Sequence, residues 1–209
     1  MQTSLESSIA SEGTAYPTPI VITERLIIRP MYLPDAPSMA LHANDLLVSQ
    51  YMSLGFPSPY TISSAEAWIN MNNALPYQEA FVVCERSAPD VVIGGLGIKP
   101  GSDVNAHTGE VGYWIAQAHW GKGYMPEALQ GFTKWVFENW DRNGQRLTRI
   151  WGYVFSGNFG SMRCFEKSGY APEGVMKGHC QKNGKVMDMH LFGLTKPDWE
   201  KRMVEVSGK

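Results

Sequence analysis

The stretch Gly109–Leu129, G-E-V-G-Y-W-I-A-Q-A-H-W-G-K-G-Y-M-P-E-A-L, constrains this chain more than any other. Val, Tyr, Trp and Ile in its first half predict a strand over Gly109–Ala116. Gly121 and Gly123, one residue apart, predict a turn with backbone angles that other residues avoid. A helix then runs to about Trp140. A strand that passes through such a turn into a helix aims main-chain N–H groups at one point, beside the positive end of the helix dipole. That geometry suits a diphosphate.

The flanking pattern is that of one mixed α+β domain. Thr23–Met31 reads as a strand, and Leu33-Pro34-Asp35 opens a helix to about Ala43. A short helix is expected near Asp45–Tyr51, and Leu54–Tyr60 reads as a loop. Ser63 and Ser64 are expected to cap a helix to about Asn73, with Glu66 in its first turn. Ala80–Arg86 and Val91–Lys99 predict a hairpin about Ser87–Asp90. Gly94, Gly95 and Gly97 inside its second strand predict a bulge or a close backbone approach. Asn143-Gly144 is expected to end the long helix. Leu147–Phe155 reads as a strand, Asn158–Lys167 as a helix, and Ala171–Cys180 with Lys185–Leu194 as a hairpin across Asn183-Gly184.

With 209 residues and 44% hydrophobic side chains, the chain can bury one substantial core. A net charge of −2 gives no support for a nucleic-acid partner. No apolar run approaches a membrane span, so no membrane partner is expected. The cysteines Cys84, Cys164 and Cys180 form no C-x-x-C pair, and the histidines show no ligand spacing, so no metal is expected. Free thiols fit a reducing compartment. Met1–Pro19 lacks a basic and an apolar signal region and is expected to be a flexible tail, which points to a cytoplasmic protein. The domain is placed at residues 20–200, with 201–209 as a C-terminal tail.

Local chemistry narrows the glycine turn without settling it. A Walker loop needs Lys followed by Ser or Thr after its last glycine, whereas Lys122 lies between the glycines. A dinucleotide fingerprint needs a third glycine where Pro126 stands, and it opens a parallel unit rather than following a hairpin. A plain strand-to-helix turn remains open. The wider pattern is more specific. G-E-V-G-Y-W-I, W-G-K-G-Y-M-P-E-A-L and N-F-G-S-M-R-C-F-E-K-S-G-Y at Asn158–Tyr170 together resemble the GNAT superfamily of acyl-CoA-dependent N-acetyltransferases. T-E-R-L-I-I-R-P at Thr23–Pro30 and the E-G-V-M-K-G-H and N-G-K-V-M-D motifs within Glu173–Asp188 resemble its ribosomal-protein N-terminal acetyltransferase branch.

The resemblance implies a single GNAT-like domain of class α+β. Its central sheet is mixed, mostly antiparallel and splayed at the acyl-CoA site by a bulge, with helices on both faces. It implies acetyl-CoA as co-substrate and an amine as acceptor, in a monomer or homodimer. Free backbone groups of Trp114, Ile115 and Ala116 would pair with pantetheine, and amides of Trp120, Gly121, Lys122, Gly123, Tyr124 and Met125 would hold the diphosphate. Pro126 has no N–H to give. Ala118 stands where the superfamily has Arg or Gln. Asn158 would bond the pantetheine amide.

The implied reaction is attack of a neutral amine on a thioester. An ammonium with pKa near 10.4 loses its proton at pH 7 at a cost of about 4–5 kcal/mol, which calls for a base. Glu110 is the favoured base, with Glu85 on the neighbouring strand as its rival. Phe165 occupies the position of the family's acid tyrosine, so Ser161 is the candidate acid. Tyr51, Phe56, Tyr60, Lys177 and His179 are the candidates for the acceptor wall. Two other classes stay open: an acyl-CoA-binding module without transferase activity, prompted by Phe165, and a nucleotide-binding switch.

Overall fold

The structure is a computed structural model that describes residues 16–207. Residues 1–15, most of the expected N-terminal tail, lie outside the described residues. β1 (Val21–Ile22) and β2 (Leu26–Pro30) lead into a single 3-10 turn, then α1 (Ala36–Ala43), α2 (Leu46–Ser49) and α3 (Ile62–Asn73). An antiparallel run follows: β3 (Ala80–Glu85), β4 (Ala88–Pro100) and β5 (Thr108–Ile115). Next come α4 (Tyr124–Asn139), a small ribbon of β6 (Asp141–Arg142) and β7 (Gln145–Arg146), then β8 (Arg149–Phe155) and α5 (Phe159–Lys167). β9 (Ala171–Lys182), β10 (Lys185–Thr195) and α6 (Lys196–Ser207) complete the described chain. Among these residues no helix is long and apolar enough to cross a membrane.

One eight-stranded sheet runs in the order β1-β2-β3-β4-β5-β8-β10-β9. Every neighbouring pair is antiparallel except β5 and β8. A parallel pair requires a long crossover, and α4 provides it. Strand alternation divides the core into two layers. On one face Leu26, Ile28, Val83 and Val111 pack with Phe132 and Phe137 of α4 and Phe165 of α5. On the other, Ile27, Val82 and Cys84 pack with Met39 of α1 and Ile69 of α3. The expected α+β architecture, with helices on both faces, is therefore observed.

Three local readings change, and a fourth, open between a bulge and a close approach, resolves to the latter. Thr61, rather than Ser63 or Ser64, caps α3: Ser64 N–H donates to Thr61 Oγ1 (3.1 Å), and Thr61 N–H donates back to Ser64 Oγ (3.3 Å). This reciprocal box starts the helix early enough that Glu66 falls beyond its first turn. Asn143 and Gly144 both have positive φ (53° and 85°) and form the β6–β7 hairpin turn rather than a helix cap. The β4 glycines mark close approach: a Cβ on Gly97 would stand 2.6 Å from Glu79 O, and one on Gly94 2.6 Å from Trp114 O. The β4–β5 register runs unbroken from Gly94↔Ile115 to Pro100↔Gly109, so no bulge interrupts it. The irregularity lies in the β3–β4 hairpin near Cys84, and it draws Ala88 to Asp90 into β4.

A buried ion pair anchors the start of the sheet. Arg29 and Asp35 side chains are both 0% exposed and joined by Nη1–Oδ2 (2.9 Å) and Nη2–Oδ1 (2.7 Å) bonds. Tyr32 N–H donates to the same carboxylate (3.0 Å), and Arg29 Nε donates to Pro89 O (3.1 Å). Removing one partner strands the other charge in the core. Asp35→Ala is expected to destabilise the fold by about 3–5 kcal/mol in denaturant titration.

Candidate active site

The glycine turn has the expected conformation. Gly121 and Gly123 adopt φ of +73° and +76°, and Gly123 is the N-cap of α4 without a side-chain cap. N–H groups of Gly121, Gly123, Tyr124 and Met125 find no carbonyl partner among the described residues. They are left free at the positive end of a helix of 16 residues. Trp120 departs from expectation. Its amide donates to Gln117 O (3.0 Å) and its indole to Ile115 O (2.9 Å), so it braces the turn rather than offering a donor.

Beside the turn the sheet opens. β5 and β8 pair only at Thr108↔Arg149, Gly109↔Ile150 and Glu110↔Trp151. The splay comes from this early end of pairing, not from the bulge that the family resemblance implied. It also changes which backbone groups are free. Ala116 N–H donates to Ile93 O (2.9 Å) and Gly101 N–H donates to Thr108 O (2.8 Å). By antiparallel alternation, even-numbered residues of β5, Trp114 included, turn their main chain toward β4. Val111, Tyr113 and Ile115 turn theirs toward the gap. Of the expected Trp114–Ala116 set, Ile115 alone faces the opening, and its carbonyl is held by Trp120. The Trp114 side chain lies on the α1/α3 face, its ring 6.2 Å from Phe56.

α5 forms the far wall. Asn158 is its N-cap, its Oδ1 accepting from Ser161 N–H (3.2 Å). Ser161 Oγ lies 2.9 Å from the hydroxyl of Tyr113, which reaches across from β5 and donates to Ser161 O (3.2 Å). The reading of sequence missed Tyr113, although strand alternation places it on the α5 face. Burial pushes its phenol well above the ordinary tyrosine range, which keeps it protonated. Phe165 packs within the core between Tyr113 (5.4 Å) and Phe192 (5.2 Å).

Glu110 sits at the apex of the splay, on the face opposite α4. It is half-buried, and that desolvation raises its carboxyl pKa against the opposing charge of its cross-strand neighbour Lys99. It opens on a cleft of about 610 Å³ lined also by Lys99, Trp151, Glu173, Met176 and Leu191. Trp151, Tyr153 and Phe155 form an aromatic ladder along β8, with centroids 6.5 and 5.9 Å apart. Burial, then the charge of Glu110, pushes the Tyr153 phenol up. The W-G-Y-V-F alternation carried this signal in the sequence. The rival Glu85 lies at the other end of the sheet, beside the glycine turn. Its Oε1 is 3.2 Å from His119 Nδ1, and His119 stacks on Tyr124 at 5.9 Å.

The expected acceptor wall is only partly assembled. Tyr51 donates its hydroxyl to Gly157 O (3.2 Å), which ties the segment after α2 to the far arm. Phe56 lies between Tyr60 (4.9 Å) and Trp114. Tyr60 is not at the mouth: it is 5% exposed, and burial pushes its phenol up to about 12. Lys177 is exposed and donates to Asp188 Oδ2 (2.8 Å), and His179 is exposed on the same hairpin. Lys182, not anticipated, reaches from the hairpin to Ser49 O (2.5 Å) and Met52 O.

The family described as the acetyltransferase (GNAT) domain matches residues 25–171 of this chain. The chain belongs to that family, and with it to the acetyl-CoA-dependent N-acetyltransferases. It is 29% identical over 181 residues to the uncharacterized N-acetyltransferase p20 of Bacillus licheniformis, covering 85% of this chain and 96% of the relative. It is 30% identical over 183 residues to the uncharacterized N-acetyltransferase YoaA of Bacillus subtilis (strain 168), covering 86% and 98%. Among solved structures it resembles RimL, a ribosomal L7/L12 alpha-N-protein acetyltransferase in complex with coenzyme A. That likeness has a TM-score of 0.68 at 17% identity, over 85% of this chain and 98% of the other. Gly123→Val forces a β-branched residue into positive φ at the turn. It is expected to weaken coenzyme A binding at least about tenfold by calorimetry, with an unchanged circular-dichroism spectrum.

Proposed function

We propose that the chain transfers an acetyl group from acetyl-CoA to a primary amine by direct attack within a ternary complex. The observation that carries this reading is the gap between β5 and β8, which has unpartnered helix-terminal amides at one end and a half-buried carboxylate at its apex. In this reading the amides of Gly121, Gly123, Tyr124 and Met125 hold the diphosphate. Main-chain groups of Tyr113, the N–H of Ile115 and the side-chain amide of Asn158 align the pantetheine arm. Glu110 accepts the ammonium proton, through a water where the distance requires one. Ser161, oriented by Tyr113, faces the departing thiolate. The ammonium proton ends on Glu110 and the C–S bond breaks as the C–N bond forms; the second proton lost by the nitrogen passes to the departing thiolate, through the Ser161 hydroxyl, so that coenzyme A leaves as the thiol.

A peptide N-terminus or a small amine fits the cleft beside Glu110, which has apolar Trp151, Met176 and Leu191 and charged Lys99 and Glu173 on its walls. The fold shared with an alpha-N-protein acetyltransferase supports the N-terminal amine. Thiol release from acetyl-CoA is the test, against a panel of N-terminal peptides, amino acids and small amines. Release that depends on one amine class supports the proposal. Tight acetyl-CoA binding without release across the panel favours a binding module instead.

Glu110 provides a pH signature. Its carboxyl titrates above the usual range, so the active, ionised form is lost as pH falls through that raised pKa. Turnover is expected to show this acid limb, and Glu110→Gln to lower kcat and abolish the limb. The stability effect has the opposite sign. A carboxylate whose folded pKa exceeds its unfolded pKa destabilises the fold at pH values above both. Glu110→Gln should therefore leave Tm at neutral pH unchanged or raised, which distinguishes loss of a base from loss of structure.

A further inference from the structure

We propose that Arg25 is a positioning residue for the diphosphate turn. It fixes the direction of the Gly123 N–H and neutralises a carboxylate that would otherwise repel the ligand. The proposal rests on the reading of the turn as the acetyl-CoA diphosphate site.

Glu127 lies in the first turn of α4, where its charge would compete with an anion for the helix N-terminus. Its carboxylate is saturated by donors from the β1–β2 turn. Thr23 Oγ1 donates to Oε1 at 2.6 Å and Arg25 N–H to Oε1 at 2.9 Å. Arg25 Nε reaches Oε2 at 2.7 Å and Nη2 reaches it at 2.6 Å. This leaves Nη1, which donates to the carbonyl of Lys122 at 3.0 Å. In a planar trans peptide, the carbonyl of Lys122 and the N–H of Gly123 point in opposite directions. Holding that carbonyl toward the guanidinium therefore turns the Gly123 N–H away from it, and that N–H is among those without a partner. The guanidinium carbon lies 4.6 Å over the Tyr124 ring, which limits its motion.

The geometry requires a guanidinium. Two edges of one planar fork serve Glu127 and Lys122 O together, whereas an ammonium on a flexible stem holds neither angle. The pair also leaves the mouth of the turn close to neutral, so the free amides and the helix dipole act on the ligand unopposed.

Arg25→Met and Arg25→Lys test this. Dissociation constants are measured for coenzyme A and for pantetheine, which has the same arm but no diphosphate. Arg25→Met is expected to weaken coenzyme A at least about tenfold, to leave pantetheine within about twofold of the unsubstituted chain, and Arg25→Lys to fall between. Should Arg25→Met fold poorly, Arg25→Lys carries the same comparison. Equal losses for both ligands would show general damage and overturn the proposal, as would unchanged coenzyme A affinity. Failure of the unsubstituted chain to bind coenzyme A would overturn the reading of the site itself, not the role of Arg25 within it.

Discussion

The short parallel ladder between β5 and β8 is the constraint on which the rest of the site depends. Three residue pairs join two arms of the sheet that are each otherwise antiparallel. Beyond Glu110 and Trp151 the arms part, and the main-chain groups of Tyr113 and the N–H of Ile115 are left facing an opening inside a folded domain. Buried backbone groups rarely go without partners, so such an opening is stable only where water or a ligand completes it. Where the arms begin to part, a close contact at Gly152 keeps them near one another. A Cβ on Gly152 would stand 2.5 Å from Phe165 Cζ and 2.9 Å from Val111 O, and the absence of a side chain there lets α5 and β5 close on β8.

Electrostatic polarity runs along the same strand. At the end of β5, free amides and a helix N-terminus favour negative charge. Toward its start, a half-buried carboxylate is held in a state that disfavours its own charge. The two are separated by the length of the gap, and in the proposed reading this polarity orients acetyl-CoA with its diphosphate at the turn and its thioester toward the apex. The negative charge that could blur this polarity, Glu127, is paired with Arg25 and accepts a hydrogen bond from Thr23. Glu85, the other nearby carboxylate, lies with its Oε1 3.2 Å from His119 Nδ1, and burial lowers the His119 pKa, which disfavours a compensating positive charge there.

The parted arms are rejoined above and below the opening by polar contacts between side chains and distant backbone. Tyr113 crosses to Ser161 on the α5 side. Tyr51 crosses to Gly157, and Lys182 crosses to the carbonyls of Ser49 and Met52 at the end of α2. These contacts join residues as far as 133 positions apart in the chain. They give the opening a defined width without filling it.

Much of this was legible in sequence because it is local. Alternation, glycine spacing and the Asn183-Gly184 hairpin specify strands, the turn and the order of elements through chemistry confined to a few neighbours. The Gly121–Gly123 turn read correctly for that reason, as did Asn158 at a helix start. The misreadings involve contact between remote segments. Nothing near Tyr60 says that α1 and α3 will bury it, and nothing near Trp120 says that its indole will turn back on Ile115. Asn143-Gly144 had two local solutions; the helix ends at Asn139, with Trp140 extended and buried, and the pair turns the β6–β7 hairpin instead.

By itself, then, the amino-acid order determined the family, the strand–turn–helix unit and the residue types able to hold an anion and move a proton. Only the tertiary structure decided which backbone groups stay free, which of two glutamates stands at the apex, and that Tyr113, Arg25 and Lys182 bond to remote segments of the chain. The physical reason is that periodicity records which face a residue occupies. The length of a ladder and the partner of a side chain depend on strands brought together from opposite ends of the chain.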